Sequence, residues 1–268
     1  MRTIFITLLA ACFLIPCCLR AQQSDSSRIY TSGDGVKIYY EVKGKGNAVI
    51  LLHGFTGVGE SWKRAALYKD LLSAGFQVVT PDMRGNGKSD KPHTPEAYEN
   101  DIEAKDIMGI ATELGLKKYA VVGYSRGAII ASRVLVLDKR VSKAVLGGMG
   151  SDFMNPEWPR RIMFYKALMG ESVPELEGMV KSVKDRGLDQ TAQAYLQKAQ
   201  PSTSKEEFAK AKRPVLVICG DKDEDNGSSK ALAEVIPDSE YKRVPGDHGG
   251  TSRTKEFSIE VLAFLNKK

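Results

Sequence analysis

Five consecutive residues, Gly123-Tyr124-Ser125-Arg126-Gly127, carry the pattern Gly-x-Ser-x-Gly. A serine hydroxyl is a poor nucleophile near neutral pH. Chemistry at Ser125 therefore requires a base for its proton and N–H donors for the charge that develops on an attacked carbonyl oxygen. Three histidines can supply the base, His53, His93 and His248. A carboxylate must then accept the second imidazole N–H, and four acids crowd one stretch: Asp221, Asp223, Glu224 and Asp225. These residue types together point to acyl transfer through a covalent serine intermediate.

Such a serine has to be held by a strand, a tight turn and a helix. The apolar run Tyr119–Val122 leads into the motif, and a helical apolar pattern follows from Ala128 to Leu137. The flanking glycines leave room for strand and helix to approach closely. Apolar runs predict further strands at 28–31, 36–42, 48–52, 76–80, 143–146, 214–218 and 240–244. The first two flank Ser32-Gly33-Asp34-Gly35, which has hairpin turn chemistry. Helical patterns alternate with most of the others: one containing Trp62, Ala66 and Leu71-Leu72, one over 98–114, one over 228–235 and a closing one over 255–265. That alternation predicts an α/β fold with a mainly parallel sheet covered on both faces. The rhythm breaks at about 151–212, where helical pieces at 157–169, 174–184 and 191–198 predict a small cap inserted over the sheet edge. Its aromatic and methionine residues (Phe153, Met154, Trp158, Met163, Phe164, Tyr165, Met169) suit either an apolar substrate pocket or a helix face packed on the core, and spacing does not separate the two.

The first 21 residues read differently. Arg2, then an uncharged, mostly apolar run from Thr3 to Leu19, then Arg20-Ala21 before a polar stretch, reads as a secretory signal cleaved after Ala21. The expected location is the bacterial periplasm or the medium. Leu9-Ala10-Ala11-Cys12 also resembles a lipoprotein box, so membrane association is expected only if the leader is lipidated or uncleaved. Cys12, Cys17 and Cys18 lie in this leader. Cys219 alone remains in the mature chain 22–268, ending an apolar strand as a buried thiol with no disulfide partner. The whole chain has 268 residues, 42% hydrophobic and 27% charged, as expected for one globular α/β domain. Its formal charge of +6 includes two leader arginines and contains no long basic or aromatic-interleaved run, which excludes nucleic acid as the expected partner.

Taken in order, His53-Gly54-Phe55-Thr56-Gly57, Asp82-Met83-Arg84-Gly85-Asn86-Gly87-Lys88-Ser89, the Gly123–Gly127 elbow, Gly220-x-x-Asp223 and His248 each end a predicted strand. From about Ile29 to the C-terminus the chain resembles the α/β-hydrolase fold superfamily, in its compact capped esterase and C–C hydrolase-like form. The resemblance implies a mostly parallel eight-stranded sheet, with the catalytic chain order Ser…Asp…His. It implies Ser125 as nucleophile, His248 as base and Asp223 as orienting acid, since the acid follows the glycine by three. Some relatives move that acid to the place of Asp152. Backbone N–H groups of Phe55 and Arg126 would form the oxyanion hole, with His53 bracing its loop. Many relatives carry an apolar residue at Arg126, whose side chain suits a structural salt bridge better than a substrate contact. Asp82-Met83-Arg84-Gly85 suits a tie between loop and sheet edge, and His93 a solvated surface.

The implied activity is hydrolysis of a carboxylic ester, with a small molecule as the only expected partner. The same triad would also suit a C–C bond hydrolase or a cofactor-free perhydrolase of the haloperoxidase type, and a non-catalytic ligand-binding homologue shares the fold. Serine at the elbow argues against relatives that place aspartate there, the epoxide hydrolases and haloalkane dehalogenases. Gly85-Asn86-Gly87 lacks the third glycine of a dinucleotide fingerprint, and three scattered histidines form no zinc-spacing cluster. No cofactor and no metal are expected.

Overall fold

The computed structural model describes residues 26–267, so the leader reading and its three cysteines lie outside the described residues. Eight strands form one sheet in the order β1-β2-β4-β3-β5-β6-β7-β8. They are β1 (Ser26–Thr31), β2 (Lys37–Lys43), β3 (Ala48–Leu52), β4 (Gln77–Pro81), β5 (Tyr119–Tyr124), β6 (Val141–Gly147), β7 (Val215–Gly220) and β8 (Ser239–Val244). β2 runs antiparallel to β1 and β4, and every other pairing is parallel. Each strand falls within two or three residues of its sequence expectation, because a strand buried on both faces must be an uninterrupted apolar run.

The two faces are read off alternate residues. Ile50, Leu52, Val121, Ala144 and Leu146 enter one core cluster, with Ile107 and Ile110 of α2 (Ile102–Glu113) and Ile130 and Val134 of α3 (Arg126–Leu137). Val49, Leu51, Val122 and Val145 enter the other, with Leu67 and Leu71 of α1 (Ala66–Ser73) and Phe257, Val261 and Phe264 of α9 (Lys255–Asn266). A fully buried side chain of this kind contributes roughly 1.5–3 kcal/mol. Edge strands β1 and β8 alternate or are largely accessible, as one-sided strands do.

Two helices depart from their expected bounds. The pattern over 98–114 is split: a short 3-10 turn ends at Tyr98 and α2 starts at Ile102, because Asn100 and Asp101 both turn left-handed at φ 58°. Asn and Asp tolerate that region better than other side chains. Asp101 does not cap α2; its carboxylate holds the Arg133 guanidinium of α3 at 2.7 and 2.9 Å. Trp62 lies on a separate 3-10 turn, Gly59–Arg64, before α1.

Between β6 and β7 lie α4 (Pro159–Leu168), α5 (Glu177–Asp185), α6 (Gln190–Lys198) and α7 (Lys205–Ala211). Leu168, Val183 and Ala194 form a small core of their own. α7 behaves differently: Phe208 and Ala211 join the main core, and Glu207 reaches Arg133 at 2.7 Å. After β7, α8 (Ser229–Val235) supplies Leu232 and Ala233 to that same core.

Candidate active site

β5 delivers Ser125 to the sheet edge in a conformation, φ 54° and ψ −125°, that a side-chain-bearing residue adopts only under constraint. The constraint is close packing. A Cβ on Gly123 would lie 2.1 Å from the Gly127 carbonyl oxygen, and one on Gly127 would lie 2.3 Å from that of Leu52. Strand and helix therefore approach as the two glycines permit.

Beside Ser125, loops from β7 and β8 bring the acid and base together. Ser125 Oγ lies 2.9 Å from His248 Nε2, and His248 Nδ1 lies 2.9 and 3.0 Å from the two Asp223 oxygens. The hydroxyl donates to the imidazole and the imidazole donates to the carboxylate. Asp223 is 7% exposed, so little water competes for its oxygens. The neighbouring acids are placed elsewhere. Asp221 accepts from Gly246 N–H at 2.9 Å and ties the two loops together, while Glu224 and Asp225 are exposed. Asp152, the alternative acid, lies on the turn Ser151–Met154 with its carboxylate against Gly227.

Tyr124 was missed in the sequence, where it is only a variable letter of the motif. Its hydroxyl donates to the His248 carbonyl at 2.8 Å and its ring lies 5.6 Å from the imidazole, so the residue before Ser125 fixes the backbone of His248. Burial raises the Tyr124 phenol well above its usual value, which keeps it a donor.

The loop after β3 closes the other side. A Cβ on Gly54 would lie 3.3 Å from Ser125 Cβ, so this loop abuts the nucleophile. Among the described residues, the N–H groups of Phe55 and Arg126 donate to no protein acceptor. His53 is 2% exposed and bonded on both nitrogens, Nδ1 to Gly54 O at 2.9 Å and Nε2 to Met83 N–H at 3.1 Å. It joins the loops after β3 and β4, and burial lowers its pKa so that the neutral ring is favoured. Asp82 accepts from Gly59 N–H and Lys88 N–H, and fully buried Arg84 donates to Asp106, Asp34, Ser32 and the Ala97 carbonyl. This stretch is the expected tie.

The Arg126 side chain is held by partners within the protein. It donates to both oxygens of Glu103, Nη1 at 2.8 Å, and to Leu196 O at 3.0 Å, joining α2 and α6. Glu103 was invisible in the sequence, being one exposed-looking acid among many. His93 lies on the surface with Nε2 2.8 Å from Asp189, the N-cap of α6. Cys219 is buried, and burial raises its thiol pKa, leaving it unreactive.

Above Ser125 and beneath the cap lies a cavity of about 460 Å³. Of the cap aromatics and methionines, only Trp158 and Phe164 reach it. Phe153 is in the main core, Tyr165 packs in the cap core, and Met163 and Met169 are 38% and 48% exposed. Asp223, Asp225 and His248 each bring a potential metal-ligand atom within 4.8 Å of the others. A cation there would have to compete with the hydrogen bond that His248 Nδ1 already makes to Asp223.

A sequence-family model for the alpha/beta hydrolase fold matches residues 47–178, and the chain belongs to the α/β-hydrolase fold superfamily. Epoxide hydrolase 3 of Siraitia grosvenorii is 40% identical over 98 residues, covering 37% of this chain and 30% of that protein's length. A bromoperoxidase from Bacillus anthracis superposes with a TM-score of 0.70 at 25% identity, covering 90% of this chain and 100% of its own. Esterase RhEst1 from Rhodococcus sp. ECU1013 superposes with a TM-score of 0.69 at 25% identity, covering 90% of this chain and 99% of its own.

Proposed function

We propose that this protein hydrolyses carboxylic esters through an acyl-enzyme on Ser125. The observation that carries the proposal is the unbroken chain Ser125 Oγ, His248 and Asp223, with contacts of 2.9 Å at both links. Ser125 Oγ attacks the ester carbonyl as its proton passes to His248 Nε2. The oxyanion so formed accepts from the N–H groups of Phe55 and Arg126, a stabilisation commonly worth about 3–4 kcal/mol per donor. Collapse expels the alcohol, which takes the proton from His248. Water, deprotonated by the same imidazole, then adds to the acyl-enzyme and releases the carboxylic acid. Asp223 orients the ring and stabilises the imidazolium without itself taking the proton.

The test is turnover of short-chain nitrophenyl esters together with labelling by a fluorophosphonate. The proposal expects both in the wild type and neither in Ser125→Ala. Undiminished hydrolysis by that variant would overturn the nucleophile assignment, and an unlabelled wild type would favour a ligand-binding role.

The likeness to a bromoperoxidase supports a second reading, in which hydrogen peroxide replaces water at the acyl-enzyme and the released product is a peracid. Peracid formation from acetate and peroxide, abolished in Ser125→Ala, is its signature. Cleavage of vinylogous diketones without ester turnover would instead indicate C–C hydrolysis. Serine where epoxide hydrolases carry aspartate argues against transferring the activity of the plant relative. The leader adds export to the proposal, and a mature N-terminus at Gln22 in the periplasm or medium is the expected finding.

A further inference from the structure

Arg64, Arg126, Arg160, Arg161, Arg186 and Arg253 line the cavity over Ser125, and among the described residues no aspartate, glutamate or lysine does. Composition does not explain this. The chain has 25 lysines against 14 arginines, and residues 151–212 hold ten basic and nine acidic side chains. The cations of the wall come from well-separated stretches and are all of one type. Arginine offers a planar fork that binds a carboxylate through two parallel hydrogen bonds, which a lysine ammonium cannot do.

Arg126 is neutralised by Glu103, as described above. The other five form no ion pair with an acid among the described residues. Arg161 donates to Gln200 O at 2.7 Å, Arg186 donates to Thr56 O at 2.8 Å, and the Arg160 guanidinium lies 4.8 Å from the Phe164 ring centre. These partners hold the side chains without cancelling charge. Three buried donors without an acceptor, Trp62 Nε1, Arg126 Nε and Arg161 Nε, also belong to side chains of this wall. Like charges gathered in a concave, partly apolar site repel one another and focus a positive potential on its interior.

We infer that the substrate is an acidic ester, carrying a carboxylate in addition to the bond that is cleaved. This rests on the ester-hydrolase reading of Ser125 and adds to it the charge of the substrate. The arginines are specificity-determining groups; the reaction steps remain those of Ser125, His248 and Asp223.

Two matched pairs test the inference and locate the charge. 4-Nitrophenyl succinate against its methyl diester places the carboxylate on the acyl side. 3-Carboxyphenyl acetate against methyl 3-acetoxybenzoate places it on the alcohol side. At low salt, kcat/KM for the anion is expected to exceed that for its neutral partner by at least about tenfold in one pair, since a charged hydrogen bond contributes about 1.5–3 kcal/mol. The preference should shrink as ionic strength rises. The double variant Arg160→Gln/Arg253→Gln should lower the anion-to-neutral ratio, and the surface variant Lys230→Gln should not. Neutral esters turned over as well as or better than the anions in both pairs, or a ratio unmoved by the double variant, would overturn the inference and leave ester hydrolysis standing. Turnover of none of the four esters would overturn the hydrolase reading itself.

Discussion

Two sets of arginines in this molecule are treated in opposite ways. In one set each cation meets an acid: Arg84 lies between Asp106 and Asp34, Arg126, which also borders the cavity, faces Glu103, and Arg133 lies between Asp101 and Glu207. Of the others lining the cavity, Arg161 and Arg186 donate to backbone carbonyls and Arg160 lies over a ring, and neither these nor Arg64 and Arg253 pair with an acid among the described residues. The first set holds helices and loops together through its ion pairs. The second keeps its charge available. The difference separates groups that build the site from groups that select what enters it, and each side predicts its own response to substitution.

The largest effects belong to Ser125 and Asp223 themselves, and then to the paired set. Ser125→Ala is expected to lower kcat on a nitrophenyl ester by about 10⁶-fold, the scale of nucleophile loss in a triad, with the fold unchanged by circular dichroism. Asp223→Asn should lower it by about 10⁴-fold, against a change within about tenfold for exposed Asp225→Asn. Equal losses in the two variants would reopen the choice of acid. Glu103→Leu strands the buried Arg126 cation and should cost about 3–5 kcal/mol in denaturant unfolding. A loss below about 1 kcal/mol would show that this pair is not the brace it is taken to be. Tyr124→Phe removes one neutral hydrogen bond to the His248 backbone and should cost about 1 kcal/mol, with a larger proportional fall in kcat than in KM.

His53 gives the smallest and most specific signal. Its folded pKa is lowered from 6.5 by burial, so between the two values the unfolded chain binds the extra proton. Stability contributed by the neutral ring is present above about pH 6.5 and is lost as pH falls toward the folded value. Melting temperature should therefore decline in that window, and His53→Gln, though less stable overall, should show a shallower decline. An equally steep slope in the variant would assign the titration to another group.

Much of this was legible in the sequence for a physical reason: doubly buried strands must be continuous apolar runs, and loops at their carboxyl ends must hold the reactive side chains. That reasoning chose Ser125 and His248 as candidates, and the order of a familiar fold chose Asp223 among four neighbouring acids; the structure brings the three side chains together. The start of α2 was not legible, because Asn100 and Asp101 continue a helical spacing while adopting left-handed backbone. Nor could spacing show that Trp158 and Phe164 line the cavity whereas Phe153 does not. The arginine wall was least visible. Arg64, Arg160, Arg186 and Arg253 are far apart along the chain and meet only once the sheet, the cap and the His248 loop are assembled.

Phe55 belongs to both halves of the molecule. Its N–H donates to no protein acceptor among the described residues, and its ring packs against the cap core, 5.8 Å from the centre of Phe164. A roof that shifts will therefore pull on the floor. Substitutions in α4 that touch no substrate atom should register in turnover, because the cap grips the same residue whose backbone N–H is proposed to receive the negative charge.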